Sequence, residues 1–263
     1  MRSNILTKMF FFLLFLTHSL YAADTSLRDI QRKGNIIIGF TAAYPPFESR
    51  NEKTGEFEGF DIDLGNAIAR ELGVSAAFRD AEWQGLILSL NKGDFDILIT
   101  GMTRTPKREE SVDFTEPYYQ LRDVVVIHKD NDAIRSARDL ERKIVGVQLG
   151  SASEQRADKA AEKYEFGEIR RYNYNPEAFL DLEHKRIDAI IVGYPYAVNA
   201  LKTAPNLQVA TPIDDEVSDI AIVTRKNRPE LRKQLNEILK KLRENGELDA
   251  LENKWLTVGN SGK

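Results

Sequence analysis

Cysteine is absent from the 263 residues of the sequence. Its absence excludes disulfide bonds, thiol catalysis, cysteine-based zinc sites and a lipid anchor on cysteine. Histidine is scarce, and His128 and His184 lack an acidic residue or a second histidine at the spacing of a metal site. Serine nucleophile elbows, phosphate loops and dinucleotide fingerprints are also missing. We therefore expect a protein that is not an enzyme and that holds no metal or cofactor.

A strong positive charge is missing as well. The net charge is −4 and the isoelectric point is about 5.6, so nucleic acid is not an expected partner. With 42% hydrophobic and 30% charged residues, the chain has enough apolar material for globular cores and too many charges for a membrane bundle. Its length allows two domains.

The main apolar run, residues 9–16, is too short to cross a bilayer. Arg2 and Lys8 precede it, and the small residue Ala22 follows it. An N-terminal core helix would explain the apolar run, but the positive start and the small residue favour a signal peptide. We predict cleavage after about residue 22, release into the periplasm without a lipid anchor, and a mature chain that is not membrane-embedded.

Short apolar runs alternate with amphipathic stretches of helical period from residue 35 onward, which indicates an α/β fold with parallel sheets covered by helices. The predicted strands are 36–40, 74–78, 96–100, 124–128, 144–147, 169–172, 189–192 and 220–224. The predicted helices are 61–72, 83–91, 106–111, 151–164, 176–185, 194–204 and 229–245, with a last helix that ends at Trp255.

No linker rich in Gly, Ser or Pro divides the chain. The alternation of strands and helices is interrupted at residues 117–122 and 214–218. Two interruptions imply that one lobe is inserted into the other. We predict a first lobe from residues 23–120 and 219–263, and a second lobe from residues 121–218.

Arg108 is an unusual residue for its position. Thr105 and Pro106 predict a helix start, and a cation in the first helical turn is unfavourable by roughly 0.3–1 kcal/mol. One interpretation is that Glu109 and Glu110 neutralise it on the surface. The other is that the guanidinium binds a ligand carboxylate, with help from Thr100, Gly101 and Thr103. The residues alone leave both open.

Residues 150–154 connect a strand to a helix, so their backbone N–H groups can hold an anion. Ser151 and Glu154 also form a capping-box pattern, which predicts capping for the Ser151 side chain. Tyr44 and Trp83 follow strand ends, where α/β folds bind ligands. The pattern equally allows these two aromatics to cover the core.

Several motifs occur in an order that resembles one family, the bacterial extracellular solute-binding proteins of family 3, which bind polar amino acids for ABC importers. They are residues 44–48, 59–64, 102–108, 114–119, 145–147 with 150–151, 244–248 and 254–255. The resemblance covers the mature chain and implies a two-lobe clamshell with the ligand in the cleft. It also implies that Arg108 binds the ligand α-carboxylate and that Tyr44 and Trp83 enclose the ligand side chain. Three positions are implied to assist with the carboxylate: Gly101, Thr103 and Ala152.

The sequence departs from the family pattern at the ligand amino group. The family usually has an aspartate at the position of Gly193, and several binders of basic amino acids have an acid at the position of Thr41. Ala152 replaces a common threonine. A buried ammonium group needs an acceptor, so either Asp219 replaces the missing aspartate or the ligand lacks an α-amino group. The same absences favour a neutral or acidic ligand over a basic one.

We therefore predict a monomeric periplasmic binding protein that delivers a small amino-acid-like ligand to the membrane subunits of an ABC importer. The alternative is an enzyme like the periplasmic cyclohexadienyl dehydratases, which share this fold. Those enzymes have a glutamate near the position of Tyr196, and the tyrosine argues against dehydration. A receptor sensor module would require a transmembrane segment after Trp255.

Overall fold

The computed structural model describes residues 24–257. The predicted signal peptide at residues 1–22 lies outside the described residues. Between residues 24 and 257, no helix combines the length and the apolar character that crossing a bilayer requires.

The strands are β1 (Asn35–Phe40), β2 (Ala43–Tyr44), β3 (Glu48–Arg50), β4 (Phe57–Glu58), β5 (Ser75–Asp80), β6 (Ile97–Leu98), β7 (Val112–Leu121), β8 (Asp123–His128), β9 (Ile144–Gln148), β10 (Glu168–Tyr172), β11 (Ala189–Gly193), β12 (Leu207–Pro212) and β13 (Ser218–Arg225). The α-helices are α1 (Ser26–Lys33), α2 (Phe60–Leu72), α3 (Leu86–Lys92), α4 (Pro106–Glu109), α5 (Ala152–Tyr164), α6 (Asn175–Glu183), α7 (Tyr194–Ala200), α8 (Pro229–Glu244) and α9 (Glu247–Trp255). Short 3₁₀ helices occur at Trp83–Gly85 and Ala137–Leu140.

Two five-stranded sheets organise these elements. The first has the order β5-β1-β6-β13-β7, and the second has the order β10-β9-β11-β8-β12. A small sheet of β2, β3 and β4 lies beside them. The chain passes from the first sheet to the second at Arg122, and it returns between Pro212 and Ser218.

The sheets are mixed, so the prediction of parallel sheets was only partly right. In the first sheet β1 is parallel to β5 and β6, whereas β13 is antiparallel to β6 and β7. In the second sheet β9 is parallel to β10 and β11, whereas β8 is antiparallel to β11 and β12. The reason is the path of the chain: it leaves the first sheet along β7 and returns along β13, so these neighbours run in opposite directions.

The predicted strand 96–100 forms only a two-residue ladder at β6. The Asp96 carboxylate accepts the backbone N–H of Ile37 at 2.8 Å, and the chain turns away at Gly101, which has φ +53°. The prediction missed the small sheet, α1, β7, β12 and the short 3₁₀ helix Ala137–Leu140 altogether. The strand β7 runs through Pro117, which the antiparallel pair with β13 accommodates at a register shift.

The predicted helix from residue 61 corresponds to α2, and its sequence explains its limits. Asp61 and Asp63 lie in the first turn, where acids are favourable, and Gly73 ends the helix in the left-handed conformation at φ 73°. Leu64 and Ile68 are completely buried against the first sheet. α2 thereby fixes the position of Asp61, which lies below the cavity described next.

In both sheets, the carboxyl ends of parallel strands lead to residues that line one cavity. β1 leads to Thr41, β6 leads to Thr100, and β9 leads to Ser151. Ligands of α/β folds bind at such strand ends. Tyr44 packs against the cores of both halves.

Candidate functional site

A cavity of about 550 Å³, including the solvent at its mouth, lies between the two sheets. The first sheet and its connections contribute Thr41, Ala43, Tyr44, Glu48, Trp83, Thr100, Gly101, Thr103 and Arg108. The first crossing, the second sheet and its connections contribute Leu121, Asp123, Gln148, Ser151, Ala152, Ser153, Asn175 and Val192. Of the eleven residues that we predicted for the site, all but Gly193 and Asp219 line this cavity.

Arg108 is the buried cation of the cavity, with an exposed fraction of 7%. It lies in α4, where Thr105 is the N-cap and its Oγ1 accepts the Arg108 backbone N–H at 3.3 Å. The guanidinium donates to the carbonyl oxygens of Thr103 at 2.6 Å and Gly150 at 3.0 Å. Because Gly150 precedes α5, this side chain joins the two sides of the cavity.

The surface explanation for Arg108 does not hold. Glu109 pairs with Arg104 instead, with Oε1 accepting from the Arg104 Nε at 2.7 Å, and Glu110 is exposed. Within residues 24–257, Arg108 has no acidic partner within ion-pair distance. Burial lowers the pKa of Arg108 to about 10, because desolvation disfavours the charged form. A buried cation whose hydrogen bonds go to carbonyl groups and not to an acid is suited to bind an anion.

Trp83 stacks beside Arg108 in the first wall of the cavity. The guanidinium carbon lies 5.2 Å from the centroid of the indole ring, within the range of a cation–π interaction. Trp83 opens the 3₁₀ helix that follows β5, which is the strand-end position expected for it. The indole therefore helps to fix the direction of the guanidinium.

Glu48 and Asp61 form a buried carboxyl pair below the cavity. Glu48 is 1% and Asp61 0% exposed, and burial together with the Asp61 charge raises the pKa of Glu48 well above its usual range. Burial raises the pKa of Asp61 to about 7, against the lowering effect of hydrogen bonds from Glu48, Gly101 and Tyr118. Glu48 Oε2 and Asp61 Oδ1 are buried and have no hydrogen-bond partner among the described residues. A proton on Glu48 allows it to donate to Asp61.

This pair occupies two donors that the sequence analysis considered for a ligand carboxylate, Gly101 and Thr100. The backbone N–H of Gly101 donates to Asp61 Oδ2 at 2.5 Å, and the Thr100 hydroxyl donates to Glu48 Oε1 at 2.7 Å. Thr100 Oγ1 also accepts the Thr41 N–H at 3.2 Å. The expectation that the Gly101 amide and the Thr100 hydroxyl hold a carboxylate is therefore not supported by this arrangement. Their hydrogen bonds instead connect residues of the first wall of the cavity to one another and to Asp61.

The start of α5 forms the opposite wall. Ser151 is its N-cap, and Oγ accepts the Glu154 N–H at 3.0 Å, as the capping pattern predicted. The Glu154 carboxylate accepts the Gly150 N–H at 2.6 Å. The N–H groups of Ala152 and Ser153, the first two helical residues, lie in the turn that has no intrahelical acceptor. They remain suitable for an anion.

Tyr44 is already covered on both ring faces. It stacks on Phe47 with ring centroids 5.4 Å apart and on Tyr196 with centroids 5.0 Å apart. In this arrangement a ligand can contact the edge and the hydroxyl of Tyr44, and the expected clamp with Trp83 cannot use the Tyr44 face.

Comparison with known proteins agrees with this geometry. The model of the bacterial extracellular solute-binding proteins, family 3, matches residues 36–258. The chain belongs to this family. It is 34% identical over 227 residues to the arginine-binding extracellular protein ArtP of Bacillus subtilis (strain 168), covering 86% of this chain and 87% of that protein.

Solved structures of amino acid-binding proteins have a similar fold. An ancestral arginine-binding protein bound to arginine matches with a TM-score of 0.80 and 35% identity, covering 85% of this chain and 99% of that one. An ancestral amino acid-binding protein, AncCDT-1, described as a precursor of cyclohexadienyl dehydratase, matches with a TM-score of 0.80 and 37% identity over 88% of this chain and 99% of that one. The fold is the two-lobe clamshell of type II solute-binding proteins, and the cavity lies between its lobes.

Two predicted residues do not line the cavity of this solute-binding protein. Gly193 lies at the end of β11, and a Cβ atom there would be 2.4 Å from the Tyr44 hydroxyl and 3.0 Å from Leu121. Asp219 faces a separate surface groove, and its carboxylate accepts from the Gln120 side chain at 3.2 Å. The arrangement gives no support to Asp219 as the acceptor of a ligand amino group.

One of the two buried cavity acids absent from the predicted site is Asp123, the first residue of β8, with an exposed fraction of 2%. Oδ1 accepts from the Ser153 hydroxyl at 3.0 Å, and Oδ2 lies 3.1 Å from the Arg156 Nε. Burial raises the pKa of Asp123, against the lowering effect of Arg156. Its sequence signal was weak because a single acid beside a crossing usually lies on the surface.

The other cavity residues that we did not predict are Ala43, Glu48, Leu121, Gln148, Ser153, Asn175 and Val192. Asn175 was detectable as a polar residue at the start of a predicted helix. It is 3% exposed, and its amide donates to Gln148 Oε1 at 3.2 Å.

Proposed function

We propose that this solute-binding protein binds a free amino acid between its lobes and presents it to the membrane subunits of an ABC importer. The observation that carries the proposal is the buried Arg108, whose guanidinium donates hydrogen bonds to two carbonyl groups at the cavity and pairs with no acid among the described residues. A planar guanidinium binds a carboxylate through two parallel hydrogen bonds. A ligand held by both lobes stabilises the closed form, which is the form that an importer can recognise.

We infer that the chain is exported with cleavage near Ala22, carries no lipid anchor and acts as a monomer in the periplasm. The proposed lobes are residues 23–120 with 219–263, and residues 121–218. The passage between the sheets at Arg122 and the return before Ser218 support these limits.

The ligand side chain is proposed to be uncharged or acidic, although ArtP is named for arginine. Two carboxyl groups line the cavity, and both have partners. Glu48 bonds Thr100 and faces Asp61, and Asp123 bonds Ser153 and Arg156. A buried guanidinium or ammonium side chain needs an acid of its own, in addition to the one that its α-amino group needs.

The dehydratase alternative has less support. Tyr196, near the position where those enzymes have an acid, stacks on Tyr44 and packs against Phe179. Burial raises the pKa of Tyr196, so the hydroxyl is a poor proton donor. We propose binding without turnover.

The test is a thermal-shift screen of the twenty proteinogenic L-amino acids on the mature chain, followed by calorimetry. A ligand at a hundred times its dissociation constant adds about 2.7 kcal/mol of stability, which shifts the melting temperature measurably. We expect one neutral or acidic amino acid to give the largest shift. If none of the twenty raises the melting temperature, the proposed function is wrong.

A further inference from the structure

Two buried groups of opposite charge line the same cavity. Arg108 comes from the first lobe and Asp123 from the second, and their exposed fractions are 7% and 2%. Burial of a charge is costly unless an opposite charge is near. A cavity with one cationic and one anionic wall therefore favours a molecule that carries both charges, as a zwitterionic amino acid does.

We propose that Asp123 accepts the α-ammonium group of an amino acid whose carboxylate is bound by Arg108. The inference rests on the proposed function and deepens it, because it names the residue that reads the amino group.

The position of Asp123 supports this role. In the antiparallel pair of β8 and β11, Asp123 is the register partner of Gly193. The Cα atoms of two directly opposed residues lie about 4.5–5.5 Å apart. The Asp123 carboxylate on β8 therefore lies next to the end of β11, where Gly193 has no side chain. The Tyr44 hydroxyl fills the space at Gly193, and an acid at position 193 would collide with it. Asp123 reaches the cavity beside that obstruction.

The carboxylate also has acceptor capacity left. It takes one hydrogen bond from Ser153 and lies near the Arg156 Nε, while a carboxylate offers about four lone-pair sites. Arg156 does not neutralise Asp123 by itself, because the same guanidinium binds Asp214 and lies 3.7 Å from Glu216.

The charges around Arg156 sum to a net negative value. Lys159 is the other cation of the group, and it pairs with Glu216 at 2.9 Å. Three acids and two cations leave one negative charge within this group. A ligand ammonium group is the complement that the cavity side of Asp123 lacks.

A purely structural role for Asp123 makes a different prediction. Arg156 connects Asp123, after the first crossing, to Asp214 and Ser218, at the second crossing. If Asp123 only holds the crossings together, its loss lowers the affinity for every ligand by a similar factor. If it accepts the ammonium group, its loss affects only ligands that have one.

The experiment measures discrimination by calorimetry on the mature full-length chain. The probes are the L-amino acid that gives the largest thermal shift among the twenty and the same acid with hydrogen in place of the amino group. Both are titrated into the wild type and into Asp123→Asn. Asp214→Asn is the matched control, because it removes another acid from Arg156 without lining the cavity. Asp123→Ser is the second variant, for use if Asp123→Asn does not fold.

We expect the wild type and Asp214→Asn to prefer the amino acid over its des-amino counterpart by at least about 30-fold, or about 2 kcal/mol. In Asp123→Asn the preference falls to about threefold or less, and the affinity for the des-amino acid stays within about threefold of the wild type. An unchanged preference in a folded Asp123 variant overturns the inference while leaving the proposed function intact. Failure of all twenty amino acids to bind the wild type overturns both.

Discussion

The two walls of the cavity differ in how far their polar groups are already satisfied. On the first wall, Thr100, Gly101 and Glu48 are bonded to one another or to Asp61, and only Arg108 lacks a charged partner. On the second wall, the amides of Ala152 and Ser153 and part of the Asp123 carboxylate remain available. A wall whose polar groups are paired, apart from Arg108, therefore faces a wall with free donors and acceptors, and such preorganisation lowers the cost of ordering the site on binding.

Weakening the anchor, Arg108, should have the largest effect on this difference between the walls. Arg108→Lys should lower the affinity for the bound amino acid at least about 100-fold, or about 2.7 kcal/mol, because lysine cannot form the paired hydrogen bonds or hold the Thr103 and Gly150 carbonyls together. Calorimetry measures the loss. Arg104→Lys is the control, since Arg104 pairs with Glu109 near the surface, and it should leave the affinity unchanged. Equal effects of the two variants would refute the assignment of Arg108.

Gly193→Ala tests the contact where the walls meet. The new Cβ would lie 2.4 Å from the Tyr44 hydroxyl, and overpacking of this kind costs about 2 kcal/mol of folding stability. Urea unfolding should show this loss. Addition of Tyr44→Phe should recover part of it because the hydroxyl is removed.

Gly85→Ala is the matched control for that experiment. A Cβ at Gly85 meets no atom within 4 Å, and its φ of −95° is ordinary for alanine. A loss at Gly85 as large as that at Gly193 would show that the Tyr44 contact is not the cause.

Glu48→Gln tests whether the first wall depends on a shared proton. The folded pKa of Glu48 is raised well above 4.5 and that of Asp61 is raised to about 7, so the folded state binds more protons than the unfolded state. Their contribution to stability is complete below about pH 4, and it is lost as the pH rises through the folded pKa values. Glutamine keeps a hydrogen-bond donor to Asp61. Because it does not titrate, it removes the contribution of Glu48 to the pH dependence of stability.

We therefore expect the free energy of unfolding of Glu48→Gln to fall less with rising pH than that of the wild type over the range of the raised pKa values. Urea titrations at several pH values provide the measurement. Glu56→Gln, an exposed change in the same region, should follow the wild-type curve. Parallel curves for Glu48→Gln and the wild type would contradict the shared proton.

Trp83→Phe should have the smallest effect. Loss of the indole weakens the cation–π contact with Arg108, which is worth about 0.5–1 kcal/mol, or about threefold in affinity. It should also abolish the change in tryptophan fluorescence on ligand binding. Trp255→Phe should keep that change, because Trp255 donates to Asp63 away from the cavity. If the fluorescence change on ligand binding is lost in Trp255→Phe and kept in Trp83→Phe, Trp83 does not sense the ligand.

The sequence predicted the class of fold because its periodic signals are strong. The strands β1, β8, β9 and β11 consist mainly of β-branched and apolar residues, and the predicted limits lie within two residues of the observed ones. The small sheet and β12 were missed because their residues are half-buried and do not alternate clearly. The parallel assumption failed because strand direction depends on the path of the chain between sheets, which local periodicity does not contain.

The site likewise contains residues that the sequence predicted and residues that it did not. Arg108 was detectable because a cation in the first turn of a helix conflicts with a local preference. Glu48 and Asp123 were not predicted, because a single acid beside apolar residues has no local spacing that points to a partner, and only the tertiary contacts with Asp61 and Arg156 explain their burial. The register between Asp123 and Gly193 exists only in the folded sheet.

We propose that the cavity binds both charges of an amino acid. The most direct test is calorimetry of the wild-type mature chain with the L-amino acid that gives the largest thermal shift, its des-amino acid and its des-carboxy amine. We predict that both derivatives bind at least about 30-fold more weakly than the amino acid, since each leaves Arg108 or Asp123 without its partner. Binding of either derivative as tightly as the amino acid would contradict the claim.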